Sequence, residues 1–401
     1  MNADHSSEDD RTARVQQALT DAEIGCDVLF AGLCDLDGIS HIDINDSTAV
    51  VTITLPIPSK TARALVEGEI RDAAKRIEDI STVTCRWEAT AADRGDHVDL
   101  IPDVKNLIAV ASGKGGVGKS TVAVNLAVAL ADAGARVGLL DADVYGPNAP
   151  QLLGLSERTP DATLDDRIVP RNAHGVHVMS MGFIVGEDDP VIWRGPLVDD
   201  FIKQLFDDVD WGALDYLIVD LPPGTGDAQL SLVQHLPIAG AVIVTTPQPV
   251  AVDDARRGLR GFMRYDVPIL GIVENMSAFS CSDCGASHEI FGTGGADGLS
   301  KEFGVPVLGR IPLDGAAGTL STDDTIADPA GIAIPGLGRL QLPRTRDERE
   351  GRTSLPPIAI RENGGEIRNA MTLTATRIAA RINIRQPPAG SSAYRRTTNA
   401  K

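Results

Sequence analysis

The sequence predicts an α/β fold, a mainly parallel sheet wrapped by helices, preceded by a small N-terminal α+β domain. Three observations predict it. From Lys105 onward short apolar runs alternate with helical stretches, the pattern of strands buried between layers of helices. The polar motifs begin where these runs stop, at the strand ends where an open parallel sheet places its ligands. One motif, "SGKGGVGKST" from Ser112 to Thr121, lies between the apolar run "NLIAVA" (Asn106 to Ala111) and the helical period Val122, Leu126, Leu130. That is the strand, loop, helix order of a phosphate-binding loop.

In chain order, residues 10–91 form the small domain. "AVVTITL" (Ala49 to Leu55) is β-rich, Leu65, Ile70 and Ile77 suggest a helix, and "STVTCRW" returns as a strand. Residues 92–104 are a polar linker without periodicity. Residues 105–325 carry seven apolar runs: "NLIAVA", "RVGLLDAD", "VHVMSMG", "LDYLIVD", "AVIVTT", "PILGIVEN" and "VPVLGRIP". Residues 326–401 dissolve into Pro, Gly and Arg and read as a flexible tail, with Thr372 to Arg385 able to form a short basic helix.

Gly113, Gly118, Lys119 and Ser120 satisfy G-x-x-x-x-G-K-[ST], so the larger domain reads as a P-loop NTPase. Gly113, Lys114, Gly115, Gly116, Val117, Gly118, Lys119, Ser120 and Thr121 form the expected ATP cradle. Glycines let the backbone approach phosphate, the N–H groups favour anionic oxygens, Lys119 adds charge, and Ser120 offers a hydroxyl to Mg²⁺. Two further strands end in carboxylates, "LLDADVYGPN" with Asp141 and Asp143 and "LIVDLPPGTGD" with Asp220. Magnesium keeps several waters, which suits Asp220 at the metal, Asp141 at its water shell and Asp143 at the attacking water.

The net charge of −19 is unevenly spread. From Arg339 to the end there are 13 Lys/Arg against 5 Asp/Glu, leaving −27 on residues 1–338, a field that repels a nucleic-acid backbone. With 8 lysines against 29 arginines, the acidic composition resembles that of a protein adapted to high salt, though an ordinary acidic cytosolic protein fits too. No apolar run approaches the ~20 residues that span a bilayer, and "MNADHSSEDD" lacks the basic and apolar regions of a signal peptide. A cytoplasmic protein with no membrane or nucleic-acid partner is expected.

Five cysteines, at 26, 34, 85, 281 and 284, do not form a disulfide framework in a chain this long. Cys26, Cys34 and Cys85 are expected to pack in the small domain. Cys281 and Cys284 can reach one metal centre, yet nearby only His288 adds a ligand, so one chain falls short of four. Two copies about a two-fold axis would supply four thiolates. Zinc on Cys281, Cys284 and His288, or a redox dithiol, are the competing readings.

In order, "GKGGVGKST", "LLDADVYGPN", "WRGP" (Trp193 to Pro196), "VDLPPGTGD", "TTPQ", "ENMS" and "CSDCG" resemble the Mrp/ApbC group of deviant-Walker P-loop ATPases, carriers of iron–sulfur clusters, over residues 10–320. The resemblance implies an ATPase that binds a [4Fe–4S] cluster across a homodimer through Cys281 and Cys284 and transfers it to apo-proteins, meeting cluster assembly proteins on the way. It implies that Lys114 crosses the dimer interface to the partner's nucleotide, joining Lys119 and Asp143 as a catalytic residue, and that Asn275 reads adenine. The N-terminal unit is similar to the MIP18-like domain fused to such ATPases, but Pro58 and Ser59 stand where that domain often carries a cysteine. Family members usually close with an amphipathic helix, whereas the stretch after about Thr325 is interrupted by Pro and Gly. A positioning-type deviant-Walker ATPase acting on membrane or DNA is the alternative, supported by the basic tail. A nitrogenase-type electron-transfer protein is a third reading, disfavoured because Cys281 and Cys284 follow a single strand.

Overall fold

The computed structural model describes residues 4–89, 101, 103–143, 146–155, 160–163, 167–183, 205–224, 226, 229, 232–234, 236–281, 284, 286–313, 332–334, 338–340, 357–361 and 364–384. "WRGP" and most of the linker lie outside these residues.

Near the N-terminus, α1 (Asp4–Asp21) and the four-residue α2 (Cys26–Leu29) precede β1 (Ile39–Asn45) and β2 (Thr48–Ile53), then α3 (Lys60–Ala74) and β3 (Thr82–Trp87). β1 pairs antiparallel with β2, and β2 pairs parallel with β3, because α3 carries the chain across. α1 and β1 were not anticipated from the sequence. Ser59 is the N-cap of α3, its side chain accepting from the Ala62 N–H. The buried stripe of α3 is Ala62, Val66, Ile70, Ala73 and Ala74, while Leu65 faces solvent.

All seven apolar runs are strands of one nine-stranded sheet. They are β4 (Leu107–Ser112), β5 (Val137–Asp141), β7 (Val176–Ser180), β8 (Tyr216–Asp220), β9 (Ile238–Thr245), β10 (Ile269–Ser280) and β12 (Val307–Leu313). β6 (Arg171–Ala173) and the two-residue β11 (Ser287–His288) complete it as antiparallel partners of β7 and β10. The order is β11-β10-β9-β4-β8-β5-β7-β6, with β12 also beside β10, and the remaining pairings are parallel. β4, β5, β8 and β9 are buried at every position, as strands covered on both faces must be. Among the helices that cover it are α4 (Lys119–Asp132), α5 (Ala149–Leu153), α6 (Pro249–Arg264) and α7 (Gly295–Phe303).

The tail expectation needs correction. After the short hairpin β13 (Ile332–Ile334) and β14 (Gly338–Leu340), Gly365–Ile384 forms α8, a 20-residue helix with Ile367, Met371, Ala375, Ile378, Ala379, Ala380 and Ile382 buried. Its threonines, which dilute the apolar stripe in sequence, are buried as well. Thr372, Thr374 and Thr376 donate to the carbonyls of Asn369, Ala370 and Thr372, so their hydroxyls are satisfied within the helix. β12 admits the close approach because residue 309 is glycine: a Cβ there would lie 1.9 Å from Thr374 Oγ1. Among the described residues no helix is long and apolar enough to cross a membrane.

Candidate functional site

The P-loop leaves β4 at Ser112 and enters α4 at Lys119. Two glycines are needed for different reasons. A Cβ at Gly113 would lie 2.2 Å from the Asp254 backbone, so α6 packs directly on the loop. Gly118, the residue before α4, has φ +83, and a Cβ there would meet Asn275 Nδ2. Gly115 and Gly116 face open space, and Val117 is buried beneath them. Thr121 lies in the first turn of α4, its carbonyl accepting from Asn125.

Lys119 is 5 % exposed and gathers the acids. Its Nζ donates to Asp220 Oδ1 at 2.7 Å and lies 3.5 Å from Asp143 Oδ2 and 3.4 Å from Ser120 Oγ. Burial raises the Asp220 pKa, opposed by the Lys119 charge and the Ser120 hydroxyl. Asp220 Oδ2 is buried with no hydrogen-bond partner among the described residues. Asp141, opposite Asp220 in the β5–β8 register, is pushed up to about 7 by burial and by the Asp220 charge. It accepts from the N–H groups of Asp143 (3.2 Å) and Ala149 (3.0 Å) and from Ser180 Oγ (3.1 Å). Three of roughly four acceptor positions are thus spent, two on the segment after β5 and one on the end of β7.

Lys114 is half-buried, and its carbonyl accepts from Ser112 Oγ at 2.9 Å. Among the described residues its ammonium has no ion-pair partner. Asn275 donates from Nδ2 to the Val117 carbonyl at 2.9 Å, tying β10 to the P-loop. Its neighbour Glu274, buried and unanticipated from sequence, accepts from the Ala296 N–H at 2.9 Å and pairs with Arg310 at 3.4 Å.

Five residues beyond Asn275, β10 ends at Ser280 and delivers Cys281 to a hairpin turn. Its N–H donates to the Ala286 carbonyl at 3.0 Å, and β11 returns beside Phe279 and Ser280. Cys281 is half-buried and Cys284 exposed. No three His, Cys, Asp or Glu side chains among the described residues converge as a metal site, and Cys281, Cys284 and His288 are all described. The zinc set is therefore not assembled within one chain. Cys34 and Cys85 pack against the core of the small unit, and burial pushes the Cys85 thiol up to about 11.

The family model described as ParA, NUBPL iron-transfer P-loop NTPase, matches residues 103–328, more than half of the chain. The chain belongs to this NTPase family. An "Iron-sulfur cluster carrier protein" of Synechocystis is 48 % identical over 71 % of this chain and 83 % of its own length. The Escherichia coli protein of the same name is 40 % identical over 78 % of this chain and 85 % of its own. The "Iron-sulfur cluster transfer protein NUBPL" of Dictyostelium discoideum is 50 % identical over 53 % of this chain and 66 % of its own. A solved nucleotide-binding protein from Archaeoglobus fulgidus, in complex with ADP, is 38 % identical over 56 % of this chain and 87 % of that one, with TM-score 0.49.

Against that family frame, the structure brings Lys119, Ser120, Asp143 and Asp220 into one cluster with Asp141 directly behind it. It sets Asn275 against the loop and Cys281 and Cys284 at the far end of the Asn275 strand. Ser180 was missed in sequence although it ends the run "VHVMS" in the manner of the aspartates; a polar residue closing an apolar run was the available signal.

Proposed function

We propose that this chain is an ATP-hydrolysing iron–sulfur carrier that receives a [4Fe–4S] cluster as cargo between two copies of itself and passes it to apo-proteins. The observation that carries the reading is β10, a single strand that holds the P-loop through Asn275 and bears the cysteine hairpin at its end. A shift of the loop on nucleotide binding would reach the thiolates through this hydrogen bond and then along the strand. The names of the similar proteins from Synechocystis and Escherichia coli support an iron–sulfur cluster as cargo.

The nucleotide phosphates fit the open backbone of Gly115 and Gly116 at the N-terminus of α4. Magnesium fits beside them, since the orphaned Asp220 Oδ2 is an acceptor that the ion or its water would satisfy; Ser120 and Asp220 would hold it, with Asp141 behind. When bound, the ion offsets the charge on the phosphates. The chain's own groups do the rest. Lys119, which contacts Asp220 and Asp143, would turn to the phosphate oxygens, and Asp143 would orient the attacking water. Lys114, without an ion-pair partner among the described residues, is available to a partner copy's nucleotide. One Asn275 N–H is committed to Val117, so adenine recognition would use its other N–H and its carbonyl.

The cargo is tested by anaerobic reconstitution, comparing the protein with a Cys281→Ala/Cys284→Ala variant. About four iron and four sulfide per dimer, lost in the variant, are expected; zinc or no metal would overturn the reading. The positioning-ATPase alternative loses its main support, because the apolar side of α8 is packed within the protein and is not free to meet lipid.

A further inference from the structure

The last five residues of β10, Met276–Ser280, are half-buried, whereas the seven before them are buried. Met276 has φ +55, and the pairing with β12 is irregular between Asn275 and Phe279. The return strand β11 is two exposed residues. The strand that presents Cys281 and Cys284 is therefore weakly supported by its sheet where it matters. At its final residue a support comes from elsewhere: Ser280 Oγ donates to Glu366 Oε2 at 3.0 Å.

Glu366 stands in the first turn of α8, where the helix dipole favours a carboxylate. The helix behind it is anchored along its length. Arg381 Nε donates to the Leu270 carbonyl at the other end of β10 (3.3 Å), and Arg377 Nη1 to the Leu308 carbonyl of β12 (3.1 Å). Arg377 also reaches the small N-terminal unit, donating to the Val28 carbonyl and covering the Phe30 ring at 4.9 Å. Asn383 donates to Leu36 and Thr376 accepts from Ser59, both in that unit. Just before α8, the Ala359 N–H donates to Asn125 of α4, the helix that begins at the P-loop. α8 is a fixed post, and the Ser280 bond fastens the cysteine-bearing strand to it.

We propose that Glu366 is a positioning residue for the Cys281/Cys284 hairpin: it acts by holding Ser280, the residue before Cys281. The proposal rests on the carrier reading for its biological meaning but not for its test, which reads the thiols of the full-length, metal-free protein. The rate of Cys281 and Cys284 modification by a disulfide reagent is measured in Glu366→Ala and Glu366→Gln, with Cys26, Cys34 and Cys85 replaced by Ser in every sample. Loss of an exposed hydrogen bond to a carboxylate predicts a rise of about threefold in Glu366→Ala, with Glu366→Gln, which keeps an acceptor oxygen, close to the parent. ATP turnover should be unchanged in both. Ser280→Ala should reproduce Glu366→Ala, and the double variant should add nothing further. An unchanged rate in Glu366→Ala, or equal rises in the Ala and Gln variants, would overturn the assignment. Reconstitution of the same proteins separates the two ideas: the expected thiol rates without iron uptake in the parent would leave the positioning role standing and sink the carrier reading.

Discussion

Lys119 and Asp220 form an ion pair at 2.7 Å with both side chains buried, an arrangement stable only if each satisfies the other. Both were legible in the sequence, since a contiguous motif fixes one and the end of an apolar run marks the other. Glu274 and Glu366 were not, because each acts through a partner distant in the chain. Lys114→Ala is expected to lower single-turnover ATP hydrolysis by about 10³-fold, as for removal of a cation supplied in trans, while ADP affinity by equilibrium titration stays within about threefold. At the opposite end of β8, Asp215 is buried and accepts from Lys105 (2.9 Å) and from Arg136 Nε and Nη2 (3.1 Å each). Burial alone would raise its pKa, but the Arg136 and Lys105 bonds together bring it below the usual value. A depressed folded-state pKa stabilises the fold above the unfolded value near 4, and that contribution is lost as pH falls through the folded value. Asp215→Asn should therefore cost about 1–2 kcal/mol at pH 7 in urea unfolding, discounted because Arg136 is half exposed, and the gap should close toward pH 3.

At the scale of elements, the parallel strands were readable because burial on both faces demands continuous apolar runs. The helix α4 is buried nearly all round, from Val122 to Leu130, since the sheet, α8 and the loops share its surface. The helix α8, expected from sequence only as a short basic helix from Thr372 in a flexible tail, was underestimated for a physical reason. Its packing surface is made of alanines and threonines beside a few isoleucines, and threonine counts as polar until its hydroxyl is seen bonded to its own helix. Ile378→Ala should cost about 2–4 kcal/mol in thermal or urea unfolding, as a buried aliphatic truncation does. A change under about 0.5 kcal/mol would mean that α8 is not docked in solution.

At the scale of the molecule, the charge of −19 works against compactness at low ionic strength. The unfolding midpoint is expected to rise by several degrees between about 0.1 and about 2 M KCl, where the Debye length falls from ~10 Å to a few ångströms. A flat or falling midpoint would favour an ordinary acidic protein over one adapted to salt. The sequence by itself determined the nucleotide loop, the carboxylates at the strand ends, the parallel core and the cysteine pair, because each depends on neighbours within a few residues or on an unbroken apolar run. The tertiary structure alone decided that α8 joins the small unit to the sheet, that Asn275 grips the P-loop, and that one strand connects the nucleotide loop to the cysteines. These rest on contacts between segments far apart in the chain, such as Ser59 with Thr376 and Val117 with Asn275, which periodicity and spacing do not encode.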